Sequence, residues 1–128
     1  MRSRLRRTLA WAVLASAAAT ACAPLHRGNE PEAVVVFHNN SMDQADVYAL
    51  GAGGAPIRVG TVFANRTESL RIPPDVLGAA DRVNIIVRIF ASSKVVASGP
   101  FSLGAGDSME VTLPPEENLL AVLPTRGQ

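Results

Sequence analysis

The sequence predicts an all-β domain, an antiparallel β-sandwich of about seven to eight strands, with a small β-barrel as the alternative closure. Three observations carry that expectation. From Ala33 onward the chain runs in short stretches rich in Val, Ile, Thr and Phe. Clusters of Gly, Asn, Ser and Pro break those stretches at close intervals. No stretch sustains the apolar repeat of a long amphipathic helix.

Taken in order, Ala33 to His38 is dominated by Val34, Val35, Val36 and Phe37 and stops at Asn39-Asn40-Ser41, whose side chains favour turns by bonding nearby backbone. Asp46 to Leu50 forms the second strand, closed by Gly51-Ala52-Gly53-Gly54, which reads as a flexible hairpin. Ile57 to Phe63 alternates, setting Ile57, Val59, Thr61 and Phe63 on a buried face against Arg58, Gly60 and Val62. After Ala64-Asn65-Arg66, the segment Glu68 to Ile72 puts Leu70 and Ile72 on one face and Arg71 on the other.

Pro73-Pro74 ends that strand, since proline has no N–H for a ladder bond, and Asp75 to Ala80 is expected to make one helical turn. Val83 to Ala91 is the longest run and is apolar on both sides. Val83, Ile85, Val87 and Ile89 face one way and Asn84, Ile86, Arg88 and Phe90 the other, the mark of a central strand. Val95 to Leu103, the run through Met109, Val111 and Leu113, and Leu119 to Leu123 complete the set. The general type is immunoglobulin-like or transthyretin-like. The immunoglobulin hallmarks are missing, because the chain has one cysteine and its single tryptophan, Trp11, precedes the domain.

Ahead of the domain, Arg2, Arg4, Arg6 and Arg7 are followed at once by the mostly apolar run Thr8 to Ala21, the order of the charged and apolar regions of an export signal. The run is too short for a spanning helix, which needs roughly 20 apolar residues. It ends in Ala19-Thr20-Ala21-Cys22. This resembles the bacterial lipoprotein signal, whose lipobox ends in small residues and an obligatory cysteine, although that family usually opens the box with Leu where Ala19 stands. The resemblance covers the leader only. It implies cleavage between Ala21 and Cys22, a diacylglyceryl group on the Cys22 thiol and acylation of the new amino terminus, with palmitate a typical acyl chain. Simple secretion by way of the same Ala-Thr-Ala site is the competing reading. The Arg6-Arg7 pair is a poor match to a twin-arginine signal.

These boundaries give a signal peptide over 1–21, a lipid-anchored tether over 22–32 and a β-sandwich domain over 33–128. The tether carries Pro24, Gly28, Asn29 and Pro31, with His26 and Arg27 as solvated residues. Ala23 lacks the aspartate that retains enteric lipoproteins at the inner membrane, so the resemblance points to the periplasmic face of the outer membrane. The chain has twelve basic and eleven acidic side chains; with the four leader arginines removed, eight against eleven leave about −3. The remaining basic residues are scattered, which excludes a phosphate-binding stripe and a nucleic-acid partner.

Chemistry is thinly supplied. Only His26 and His38 offer imidazoles, no Gly-x-Ser-x-Gly turn exists, and Ser41, Ser69, Ser98 and Ser108 lack a neighbouring acid-base pattern. Gly51-Ala52-Gly53-Gly54 has no following helix or Lys-Ser/Thr pair to hold a phosphate. The loop acids Asp43, Asp46, Asp75, Asp81, Asp107, Glu116 and Glu117 could hold a cation if their loops gathered at one end. Tyr48 and the phenylalanines Phe37, Phe63, Phe90 and Phe101 sit mostly in core-like strand contexts, which disfavours stacking on sugars. The expectation is therefore a non-enzymatic envelope lipoprotein without a cofactor or small-molecule substrate. It binds the membrane through its lipid and meets an envelope protein partner through a face around Ile86, Arg88 and Phe90. The alternative is a small periplasmic enzyme or metal-dependent binder using the loop carboxylates and His38.

Overall fold

The computed structural model describes residues 31–125 of the 128-residue chain. The leader, the lipobox-like Ala19-Thr20-Ala21-Cys22 and all of the tether before Pro31 lie outside the described residues. Eight strands form a β-sandwich: β1 (Ala33–Asn39), β2 (Ala45–Gly51), β3 (Ile57–Val62), β4 (Arg66–Ile72), β5 (Arg82–Ile89), β6 (Val95–Ser102), β7 (Ser108–Leu113) and β8 (Ala121–Pro124). They divide into two four-stranded sheets, β4-β1-β7-β8 and β3-β2-β5-β6, and neither closes into a barrel. Consecutive strands β1 and β2 fall in opposite sheets, unlike the immunoglobulin arrangement, which leaves the transthyretin-like alternative.

The expected all-antiparallel pairing is corrected at one place. β1 runs parallel to β7, from Val34 opposite Ser108 to Asn39 opposite Leu113, while its other neighbour β4 is antiparallel. A parallel pair needs a long connection between its strands, and β1 and β7 have five strands between them in the chain.

Alternation builds the core. Ala33, Val35 and Phe37 of β1, Ala45, Val47 and Ala49 of β2, and Val83, Ile85, Val87 and Ile89 of β5 point inward and are buried. Leu70 and Ile72 of β4 and Val111 and Leu113 of β7 join β1 on its side of the core, opposite β2 and β5. β5 lies between β2 and β6, as its two-sided apolar sequence requires.

β3 does not follow its sequence phase. Val62 is buried, Phe63 is 63% exposed, and Thr61 turns outward to bond Asp46. The cause is a bulge: Val47 pairs with Gly60 and the next residue, Tyr48, with Arg58, so Val59 is passed over and the inward set switches parity. Ile57, inward by pairing with Ala49, stays 44% exposed at the strand end.

Between β4 and β5 a single helical turn, α1 (Pro74–Leu77), with proline in its first turn, buries Val76 and Leu77, and a 3₁₀ turn over Gly78–Ala80 follows. α1 packs so closely on the end of β2 that a Cβ on Gly51 would lie 1.8 Å from the Val76 carbonyl oxygen. The glycine expected to serve a flexible hairpin is thus a packing requirement.

The strand directions fix two ends. We call the end where β1 begins, at Ala33, the base and the other the tip. Turns 40–44, 63–65, 90–94 and 114–120 lie at the tip, and 52–56, 73–81 and 103–107 at the base.

Candidate functional site

Arg88 and Ile86 stand on the outward side of the β3-β2-β5-β6 sheet, away from the facing sheet. Ile86 lies opposite Tyr48 on β2 and Ala97 on β6, and Arg88 lies opposite Asp46 and Val95. Phe90 follows the last residue of β5 and is 67% exposed. The three residues therefore make one continuous outward line from mid-sheet to the tip, with Ile86 half-buried by its neighbours and Arg88 exposed.

Beside that line is a polar cluster built across β2 and β3. The Thr61 hydroxyl donates to Asp46 Oδ1 at 2.8 Å and the Arg58 guanidinium donates to the same oxygen at 2.7 Å. Arg58 also donates to the Thr61 hydroxyl. Chiefly the Thr61 hydrogen bond holds the Asp46 carboxyl below its ordinary value; burial works in the opposite sense, and Arg58 and Arg88 add to the lowering. Asp46, expected at the start of the second strand beside a loop, lies in β2 with its carboxylate already engaged.

The tip carries the larger surprise. Met42 is 79% exposed, Phe63 63%, Phe90 67% and Leu119 54%, each on a different tip turn, and Val95 at the start of β6 adds a fifth exposed apolar side chain. Phe63, assigned by sequence to the buried face of its strand, is thus a surface residue, whereas Phe90 is exposed on the outward side where the sequence put it; Phe37 is the fully buried one and Phe101 is half-buried.

The turns that carry these side chains are tied to one another. The Phe90 N–H donates to the Gln44 carbonyl at 2.9 Å, the Asn65 N–H to the Ser41 carbonyl at 3.3 Å, and Lys94 Nζ to the Glu116 carbonyl at 3.5 Å. Beneath them Asn39 and Ser41 are fully buried. Asn39 Nδ2 faces the carbonyls of Asp43, Val62 and Phe63 at 2.8, 3.0 and 3.2 Å, and its Oδ1 accepts from the Ser41 N–H at 3.0 Å. The Ser41 hydroxyl lies 2.8 Å from Asn39 Oδ1. No buried side-chain polar atom among the described residues lacks a partner.

The other suspected groups do not converge. Asp43, Glu116 and Glu117 lie in tip turns, whereas Asp75, Asp81 and Asp107 lie at the base. Asp107 Oδ2 accepts from the Gly104 N–H at 2.8 Å, and the Asp81 carbonyl accepts from the Leu103 N–H at 2.8 Å. His38 is on the outward face of the other sheet, its Nδ1 2.9 Å from Thr67 Oγ1 and its Nε2 4.0 Å from Glu110 Oε2. Ser98 sits in the bulge of β6, where its hydroxyl accepts from the Ile85 N–H at 3.0 Å. Among the described residues no three His, Cys, Asp or Glu side chains gather in a metal-binding group.

The base has a cavity that the sequence did not signal. It measures about 380 Å³ and is lined by Leu50, Gly51, Ala52, Arg82, Val83, Asn84 and Pro100, mostly apolar surface. Cys22 and Ala21 lie outside the described residues, and no helix among the described residues is long and apolar enough to cross a membrane. No protein-family model matches the chain, and no curated protein matches it.

Proposed function

We propose that this protein is a non-enzymatic cell-envelope lipoprotein, anchored through lipid on Cys22, whose β-sandwich is an interaction or structural module at the membrane surface. The observation that carries the interaction half is the uncovered line Ile86, Arg88 and Phe90, continuous with the exposed apolar side chains of the tip. An exposed apolar cluster of this kind is characteristic of a contact surface. The anchor half rests on the leader, Arg2 to Ala21, and on the single cysteine that follows it. More than one acyl chain on that cysteine gives stable residence, where a single chain binds only marginally. The periplasmic face of the outer membrane is the preferred site, since Ala23 follows the cysteine.

The test is metabolic labelling with an alkynyl palmitate in a bacterial host. The wild-type chain is expected to take the label and sediment with membranes, and Cys22→Ser to do neither. A wild-type protein recovered unlabelled in the soluble fraction overturns the anchor. For the contact surface, photo-crosslinking groups at positions 86, 88 and 90 are expected to yield a discrete adduct in the intact envelope, and a group placed on Arg71 on the other sheet none. Equal crosslinking from all sites rejects a preferred face.

A further inference from the structure

We propose that the tip of the sandwich is a lipid-contacting surface, its four turns placing Met42, Phe63, Phe90 and Leu119 into the interfacial layer of a bilayer with zwitterionic headgroups. Five of the seven large apolar side chains exposed on the described residues lie at this one end, the fifth being Val95. Met42, Phe63, Phe90 and Leu119 each arrive on a different turn, and only the strand order brings them together.

The arrangement fits a fluid surface better than a folded partner. A stable protein interface buries a contiguous dry centre ringed by polar residues. Here a polar residue lies close in the chain to each apolar one, with Asp43 next to Met42, Ser92 two residues after Phe90, Asn65 two after Phe63 and Asn118 before Leu119. Lipid headgroups part around separate side chains, and the flanking polar groups stay among them, as at the interfacial faces of amphipathic segments.

The backbone of the turns is also suited to that layer. Phe90 N–H to Gln44, Asn65 N–H to Ser41 and Arg66 N–H to Phe63 are already hydrogen-bonded, so these three groups enter a drier medium paired. Asn39 and Ser41 hold the backbone of two of the turns from beneath, those that carry Met42 and Phe63.

Charge selects the headgroup. The tip turns and the residues immediately flanking them carry two basic side chains, Arg66 and Lys94, against three acidic ones, Asp43, Glu116 and Glu117. That balance gives no attraction to an anionic surface, so contact rests on apolar insertion and is nearly independent of salt.

The inference rests on the lipoprotein reading for one point, that a bilayer is at hand. β1 enters at the base, so an upright anchored domain points its tip away from its own membrane. The ten residues from Cys22 to Pro31 span at most roughly 33–36 Å. A seven-residue strand rises only about 24 Å, so the same tether is long enough to let the domain turn over onto the membrane that holds it.

The test uses the full chain with Trp11→Phe, which removes its only tryptophan, and one reporter added at a time: Phe90→Trp or Phe63→Trp at the tip, and Ile57→Trp at the base as the control. Each is mixed with phosphatidylcholine vesicles whose acyl chains are brominated near the headgroup, and compared with unbrominated vesicles. Both tip reporters are expected to shift to the blue and lose roughly half their emission or more, as for an interfacially seated ring; Ile57→Trp is expected to change little. Adding Met42→Ser and Leu119→Ser to the Phe90→Trp chain is expected to restore most of the emission.

Absence of quenching at both tip reporters overturns the proposal, as does equal quenching at the base, which marks adsorption through the leader. Quenching seen only with anionic vesicles and abolished by salt also overturns it, as does a blue shift without vesicles that grows with protein concentration, the sign of a second copy. An unlabelled Cys22 would refute the anchor while leaving this vesicle result intact, and failure here leaves the acyl label intact.

Discussion

The Asn39 side chain donates to the Val62 carbonyl at 3.0 Å, and both residues are fully buried. Asn39 ends β1 and Val62 ends β3, strands of opposite sheets, so one amide joins the two layers at the tip. The contact is directional where the rest of the core is held by apolar packing, and it fixes how the sheets meet.

Removing that amide is therefore costly. Asn39→Ala takes their Asn39 partner from the Val62 carbonyl and the Ser41 N–H, and each stranded buried group costs about 1–3 kcal/mol. We expect a loss of about 2–4 kcal/mol in urea unfolding, the upper part of the usual range for single changes. A loss below about 0.5 kcal/mol, the level of an ordinary surface change, is incompatible with the amide as a tie.

Gly51→Ala is expected to destabilise more than Gly60→Ala. The new Cβ at Gly51 meets the backbone carbonyl of Val76 at 1.8 Å, so all of α1 must move. At Gly60 the nearest atom, at 2.7 Å, is the end of the Leu70 side chain, which can rotate. Overpacking costs of about 1–3 kcal/mol apply, with Gly51 at or above the top. Equal denaturation midpoints for the two variants would contradict the packing account.

Asp46 makes stability depend on acid. Its carboxyl titrates below the 3.8 of an unperturbed aspartate, so the folded state holds the ionised form more tightly than the unfolded state does. The contribution is complete above that ordinary value and disappears as pH falls through the lowered one. Relative to Asp46→Asn, the wild type is expected to be more stable at pH 7, by about 1 kcal/mol or less since Arg58 is largely exposed, and the gap to close in strong acid. A gap that is unchanged between pH 7 and pH 2 contradicts the assignment.

The two kinds of phenylalanine should separate cleanly. Phe37→Ala opens the centre of the sandwich and is expected to cost about 3–5 kcal/mol. Phe90→Ser removes a ring that is 67% exposed and is expected to change thermal stability by no more than about 0.5 kcal/mol. A large loss at Phe90 would mean that the ring supports the fold.

Much of the fold was legible where alternation runs without interruption. β5 kept its sequence phase from Val83 to Ile89, and β4 put Leu70 and Ile72 inward as its pattern required. β3 was not legible because its inward set is decided by the bulge opposite Val47 and Tyr48, a feature of the pairing. Asn39 carried a turn signal and is also a buried tie, since the Val62 carbonyl it bonds lies 23 positions along the chain. Ile86, Arg88 and Phe90 were readable as one side of a strand. The company of Met42, Phe63 and Leu119 was not, because which turns share an end follows from strand order. The same strand order divides the loop acids between two ends.

The position of β1 also has a mechanical meaning. Although it is the first strand among the described residues, it lies inside its sheet, bonded along its length to β4 on one side and β7 on the other. A pull on the polypeptide upstream of Ala33 acts along the strand axis and loads both ladders in shear, so their bonds must yield together. An edge strand at this position could be peeled away one bond at a time. Force arriving from the amino terminus is thus met by the strongest grip this sheet can offer.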